Sequence, residues 1–223
     1  MLKEIYSLTY YTKIVFFRGI GLTLIIALVW GSGVLVSADS RASGGFVFHE
    51  EKKIKPIYFT HNNFTLNLGI VAGSGDAALV KQGFNIIEKI LAEWAKNIGF
   101  KVKRNPSKDE VEKIVEGIES ILIERYEELE KHGVDVNVNL LLATVTYDGK
   151  PMLYVFDSRG LAQPMHENPG YALLGKGVVT GGLLLLRLLD YRPEEALTWD
   201  LGILSTFIID MVSEVDPSVS PFL

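Results

Sequence analysis

Residues 23–38 carry two short apolar runs, Thr23 to Trp30 and Val34 to Ala38, separated by Gly31-Ser32-Gly33. Runs of this length and composition, cut by a glycine-serine turn signal, read as two strands of a hairpin. The second run ends in Asp39-Ser40-Arg41-Ala42-Ser43, and Lys52-Lys53-Ile54-Lys55 follows. On hydropathy alone a second reading competes. From Gly19 to Ala38 there is no charge, and Lys3, Lys13 and Arg18 precede that run, as in a signal peptide or a membrane span. Gly31-Ser32-Gly33 argues against it by cutting the run.

A chain of 223 residues is enough for one domain with a sizeable core. A net charge of −5 gives no basic excess and so no sign of a nucleic-acid partner. With no cysteine, disulfides and thiolate metal sites are excluded. The four histidines are scattered without metal-ligand spacing, and no cofactor is expected.

After Ile57, Phe64 to Ala72 alternates and then turns apolar, as a strand entering the core does. Gly73-Ser74-Gly75-Asp76 closes it, and a helical pattern runs from Ala77 to Asn97, with Asp76 near its cap. Ser107-Lys108-Asp109-Glu110 has the form of a capping box. The helix it opens, to about His132, carries an apolar stripe of Val111, Ile114, Val115, Ile118, Ile121 and Leu122. Val134 to Thr146 is strongly β, Asp148-Gly149 is a hairpin signal, and Met152 to Phe156 pairs back. Leu161 to Met165 follows as a short third strand, and Val178 to Leu189 as an apolar helix. Arg192-Pro193-Glu194-Glu195-Ala196 starts a last helix running to about Val215.

Against this background the stretch from Thr23 to Ile57 resembles the N-terminal part of a proteasome β-type subunit, an N-terminal-nucleophile (Ntn) hydrolase, of the divergent prokaryotic, archaeal kind. The family pattern is a threonine opening a strand, a glycine turn, a second strand, and Asp-Ser-Arg-Ala-Thr/Ser sixteen residues after the threonine, where Asp39 stands. A lysine before an aliphatic residue follows in the family. Lys53 fits if the intervening loop is two residues short, and Lys55 fits without that gap. Ala72-Gly73 before Asp76, and Gly175-Lys176-Gly177 before an apolar helix, extend the likeness. It covers roughly Thr23 to Asp216.

The resemblance implies an α+β fold, a four-layer αββα Ntn-hydrolase sandwich. Two stacked, mainly antiparallel sheets lie between helices; the family adds closing C-terminal strands, and the sequence stops before them, so that either the C-terminus is truncated or the sheet is incomplete. It implies Thr23 as nucleophile, Lys53 and Asp39 as its activators, the Gly73 N–H as oxyanion donor, Asp216 as an orienting group, and Ser43 and Lys176 on the substrate side. The chemistry is coherent. A threonine hydroxyl needs a base, and the α-amine of an N-terminal threonine, with a reference pKa of roughly 7.7–8.0, can serve near neutrality. A lysine beside the hydroxyl favours the alkoxide, and an aspartate keeps that lysine charged. Lys176 replaces the serine the family carries between the two glycines, and Val219 stands where a helper serine is usual.

A free amine requires that residues 1–22 be a propeptide or an upstream extension absent from the mature protein, leaving 23–223 as the single domain. Translation from a TTG codon at Leu22 is the expected route rather than self-cleavage, which in the family typically follows a glycine. The implied activity is peptide-bond hydrolysis in the cytoplasm by a homo-oligomer, as a ring with a regulatory ATPase. The alternatives are a catalytically silent ring or scaffold subunit and, third, an exported or membrane-anchored protein.

Overall fold

The glycine-serine turn forms, and the chain pairs on either side of it. The structure, a computed structural model, describes residues 12–16, 23–39, 53–196, 200–216 and 219. Strand β1 spans Thr12–Phe16, β2 Ile25–Trp30 and β3 Gly33–Ala38. β2 and β3 are antiparallel, from Trp30 opposite Gly33 to Ile25 opposite Ala38. β9 (Tyr171–Leu174) flanks β2, β1 flanks β3 in parallel, and the sheet order is β1-β3-β2-β9. The described part of the uncharged run is thus a hairpin, and among the described residues no helix is long and apolar enough to cross a membrane.

The second sheet has the order β4-β5-β6-β7-β8, antiparallel throughout. Its strands are β4 (Ile54–His61), β5 (Phe64–Gly75), β6 (Val138–Val145), β7 (Pro151–Phe156) and β8 (Ala162–Pro164). The two sheets stack on a shared core of Ile25, Ala27, Val29, Val36, Ile54, Ala72, Leu141 and Leu153. The other faces are covered by helices. α1 (Ala77–Trp94) and α3 (Lys108–Lys131), with the short α2 (Phe100–Val102) between them in the chain, lie over the second sheet, packing on Leu68, Val71, Leu140 and Phe156. α5 (Leu201–Val215), with α4 (Leu183–Leu188) before it, lies over the first, on Leu24, Ile26, Leu28 and Leu35. The result is a four-layer α+β sandwich. It also explains why Thr23–Trp30 reads as continuous apolar sequence. Alternate side chains of β2 point into two different cores, so neither face is polar.

The structure differs from the sequence reading in several places, and the strands Thr12–Phe16 and Tyr171–Leu174 fall where none was read. The last helix begins at Leu201 rather than near Arg192, because Asp200 caps it, its carboxylate accepting from the Gly202 and Ile203 amides. The helix expected over Val178–Leu189 opens as a π-type turn, Val178–Gly182, in which Gly181 leaves helical geometry, and only Leu183–Leu188 is α-helical. In α3, Ile121 is 43% exposed, one step off the buried ladder Val111, Ile114, Val115, Ile118, Leu122, Tyr126. The capping box itself forms. Ser107 Oγ accepts from the Glu110 amide at 3.3 Å, and Glu110 Oε2 accepts from the Ser107 amide at 2.7 Å. A hydrogen bond from Arg104 holds the Glu110 carboxyl below its ordinary range.

Candidate active site

The end of the β2–β3 hairpin away from its turn brings three segments together. Leu24, the residue after Thr23, donates its amide to Asp39 Oδ1 at 2.7 Å, and its carbonyl accepts from the Asp39 amide at 3.0 Å. Asp39 therefore binds the nucleophile candidate's neighbour through both backbone and side chain. Lys53 reaches the same carboxylate from the other sheet, Nζ to Oδ1 at 2.9 Å. Asp39 is 1% exposed and Lys53 8%. A buried charge of either sign carries a desolvation cost of several kcal/mol, which only a close partner offsets. The pair thus ties the two sheets at the point where Thr23 enters β2.

The two candidate lysines lie in different surroundings. Lys55 is paired with Glu88 of α1 at 2.5 Å, both side chains more than a third exposed, whereas Lys53 is the buried partner of Asp39. Sequence spacing left the two open because the number of residues between Asp39 and the lysine admits either count.

The third side of Thr23 is Gly175 to Gly177. Continuing the β2–β9 register from Ile25 opposite Leu174 sets Lys176 opposite Thr23. The Gly177 amide donates to the Thr23 carbonyl at 3.5 Å. Gly175 has φ +95°, and a Cβ there would run into the Thr23 carbonyl oxygen. Lys176 itself is exposed.

Asp216 is buried at the C-terminal cap of α5. Its Oδ2 accepts from Thr180 Oγ1 at 2.7 Å, and its carbonyl accepts from the Val219 amide at 3.0 Å. Val219 is fully buried and lies so near Gly177 that a Cβ on that glycine would be 2.8 Å from Val219 Cγ2 and 2.9 Å from Leu24 Cβ. The Asp216 segment therefore backs the strand segment that flanks Thr23. Among the described residues Thr180 is a hydroxyl partner of Asp216, one which the sequence reading missed. The available signal was that Thr180 is the sole hydroxyl in the apolar run Val178–Leu189.

The Gly73 amide donates to the Lys53 carbonyl at 3.1 Å, extending the β4–β5 ladder. A Cβ at Gly73 would sit 2.7 Å from Val80 Cγ1 and 3.2 Å from Phe84 Cε1. Glycine is needed there for α1 to approach the sheet. Asp76 is the α1 N-cap, accepting from the Ala78 and Leu79 amides. Ser43 lies outside the described residues. Among the described residues no group of three or more His, Cys, Asp or Glu side chains is placed to hold a metal ion.

No protein-family model and no curated protein sequence matches the chain. Solved structures do. Anbu (ancestral beta-subunit) from Yersinia bercovieri matches with a TM-score of 0.63 at 17% identity, over 88% of this chain and 77% of that one. Anbu from Hyphomicrobium sp. strain MC1 matches with a TM-score of 0.63 at 14% identity, over 88% and 78%. A structure described as the helical assembly of the Anbu complex from Pseudomonas aeruginosa matches with a TM-score of 0.62 at 16% identity, over 88% and 77%. The chain has the proteasome-like Ntn sandwich fold of these proteins. The resemblance to a proteasome β-type subunit is corrected accordingly. These neighbours belong to a proteasome-related but distinct Ntn-type family, and they do not point to a proteasome β subunit. The spacing from Thr23 through Asp39 to Lys53 specifies a hairpin and one ion pair, which is not enough to separate one branch of the sandwich from another.

Proposed function

We propose that the protein is a threonine-nucleophile hydrolase of amide bonds, of Ntn type, with Thr23 as nucleophile once residues 1–22 no longer precede it. The observation that carries this reading is the buried Lys53–Asp39 pair, bonded directly to the residue after Thr23. The hydroxyl passes its proton to the freed α-amine and the alkoxide attacks the amide carbonyl; the tetrahedral adduct collapses with cleavage of the C–N bond, the leaving amine taking that proton, and water then hydrolyses the acyl ester, releasing the acid and restoring the Thr23 hydroxyl. The Lys53 ammonium, kept charged by Asp39, stabilises the developing alkoxide. Asp216, held by Thr180, backs the segment opposite.

The test is peptide hydrolysis by protein whose N-terminus is Thr23. Thr23→Ala is expected to lower turnover by at least about 10³-fold, and Thr23→Ser to retain it, because only the hydroxyl is required. Equal turnover by Thr23→Ala and the parent overturns the reading. The engaged amide of Gly73 favours the second reading, a non-catalytic subunit of an assembly, and the absence of any Thr23-dependent cleavage would select it.

Self-association is the other part of the proposal. Ile203, Phe207, Met211 and Val215 recur every four residues along α5 and are 68%, 45%, 37% and 69% exposed. Leu184 and Leu188 of α4 are 61% and 71% exposed. An apolar stripe of this extent on a helix layer exceeds the scattered exposure normal for a monomer. The only charges on α5 are Asp210 and Glu214, and the only charge on α4 is Arg187, so two copies packed α4 against α5 would bring opposite charges together. One similar structure is described as a helical assembly. Phe207→Glu is expected to shift the protein to a smaller species in light scattering after gel filtration; an unchanged mass would remove this face from the assembly.

A further inference from the structure

The edge of the first sheet poses a problem for a nucleophile that must be freed. β1 lies beside β3, running with it, from Thr12 opposite Val34 to Phe16 opposite Ala38. Those five residues belong to the stretch that has to part from Thr23. Yet they complete the sheet. Without them β3 becomes the edge among the described strands, and one side of its backbone loses the partners that β1 gives it. Val34, Leu35, Val36, Ser37 and Ala38 are all buried. An apolar edge laid open in this way is a template for adventitious pairing. β3 is also the strand that ends at Asp39.

We infer that the β3 edge is a strand-binding site whose occupant is the chain's own segment Thr12–Phe16, and that this segment stays in place after the Leu22–Thr23 bond is broken. The mature protein is then a nicked, two-piece molecule. The second part of the inference rests on the hydrolase reading above; the first does not. The bond is broken by hydrolysis. Water adds across the amide, Leu22 leaves as a carboxylate, and Thr23 keeps a free amine.

The geometry allows both states. β1 runs toward the Ala38 end of β3, the end at which Thr23 enters β2. Two strand spacings, about 10 Å, separate β1 from β2. Six residues, 17–22, join Phe16 to Thr23, and six extended residues reach about 20 Å. Breaking the chain at its junction with Thr23 therefore removes a tether and leaves the pairing intact. The segment Thr12-Lys13-Ile14-Val15-Phe16 is rich in β-branched and aromatic residues, the types that favour a strand. A chain started at Leu22 would lack this strand altogether.

The test uses the full chain, with residues 17–22 replaced by the recognition sequence of a specific endoprotease and the protein cut after folding. It is made with β1 unaltered and with Lys13→Pro and Ile14→Pro together. Alternate residues of a strand face a given neighbour, so two consecutive prolines must remove a ladder N–H whichever residue faces β3. After cutting and gel filtration, native mass spectrometry is expected to find the N-terminal fragment still bound in the unaltered protein and lost from the double-proline one. Before cutting, the double-proline protein is expected to melt about 5 °C lower. Loss of the fragment from both proteins, retention in both, or an unchanged melting temperature overturns the inference. If the proline protein does not fold, retention or loss in the unaltered protein decides alone. Activity is not read in this experiment, so a protein that keeps its fragment but cleaves no peptide counts against the hydrolase reading and not against the strand site.

Discussion

Asp39→Ala is expected to destabilise the fold by about 3–5 kcal/mol and to lower peptide hydrolysis at least about 100-fold. Two losses combine. The Lys53 ammonium, 8% exposed, is left in the interior without its carboxylate, and the Leu24 amide loses its acceptor. Lys53→Met should cost less, because Asp39 keeps the Leu24 amide as donor. Asp39→Asn retains an oxygen for that amide but removes the charge that offsets the buried Lys53 ammonium. It should therefore fall between the two in stability while matching Asp39→Ala in lost turnover. Combining Asp39→Asn with Lys53→Met takes both charges out of the interior, and its cost should fall below the sum of the single costs. Urea unfolding of the four proteins, beside hydrolysis assays, checks the set. Additive costs would mean that the two side chains are not coupled.

Gly175→Ala is the second large effect. Glycine is required twice at this position. Its φ of +95° disfavours any side chain, and a Cβ would meet the carbonyl oxygen of Thr23 and lie 3.1 Å from Thr23 Cβ. The obstacle is backbone, so it can be relieved only by moving β9 or Thr23. The expected result is a loss of about 2–4 kcal/mol and a fall in turnover of at least about 100-fold, since misplacing a reacting atom by 1 Å costs that much. Gly149→Ala is the matched control. Its φ is +83°, but nothing lies within 4 Å of the added carbon. About 1 kcal/mol and no change in hydrolysis are expected there. Equal effects of the two substitutions would mean that backbone conformation alone, and not contact with Thr23, sets the need for Gly175.

The parts of the fold legible in the sequence are those set by local chemistry. The Gly31–Gly33 turn, the capping box at Ser107 and Glu110, the Asp76 cap and the turn at Asp148-Gly149 each form where the residues require. The parts not legible depend on distant partners. Nothing local to Lys53 or Lys55 tells which meets Asp39, because the answer lies in how one sheet sits on the other. The partner of the Gly73 amide, the Lys53 carbonyl, lies twenty residues earlier. Arg192-Pro193 looked like a helix start because proline suits a first turn, but the cap that the chain uses is Asp200. The Thr12–Phe16 strand was absorbed into a leader-like stretch, since its role shows only when β3 lies beside it.

The hairpin register gives the sixteen-residue interval between Thr23 and Asp39 a mechanical meaning. Trp30 faces Gly33 and Ile25 faces Ala38, so each step inward along one strand is matched by a step outward along the other. Counting on, the residue that faces Asp39 is Leu24, and Thr23 stands one place beyond. The turn at Gly31-Ser32 thus acts as the zero mark of a ruler whose reading is taken at the far end. Adding one residue to the turn would leave every strand residue chemically unchanged. It would nonetheless shift the carboxylate against Leu24 and turn the apolar side chains of one strand toward the wrong core. A turn at the far end of the hairpin, with no chemistry of its own, therefore has its length fixed by where Asp39 must meet Leu24.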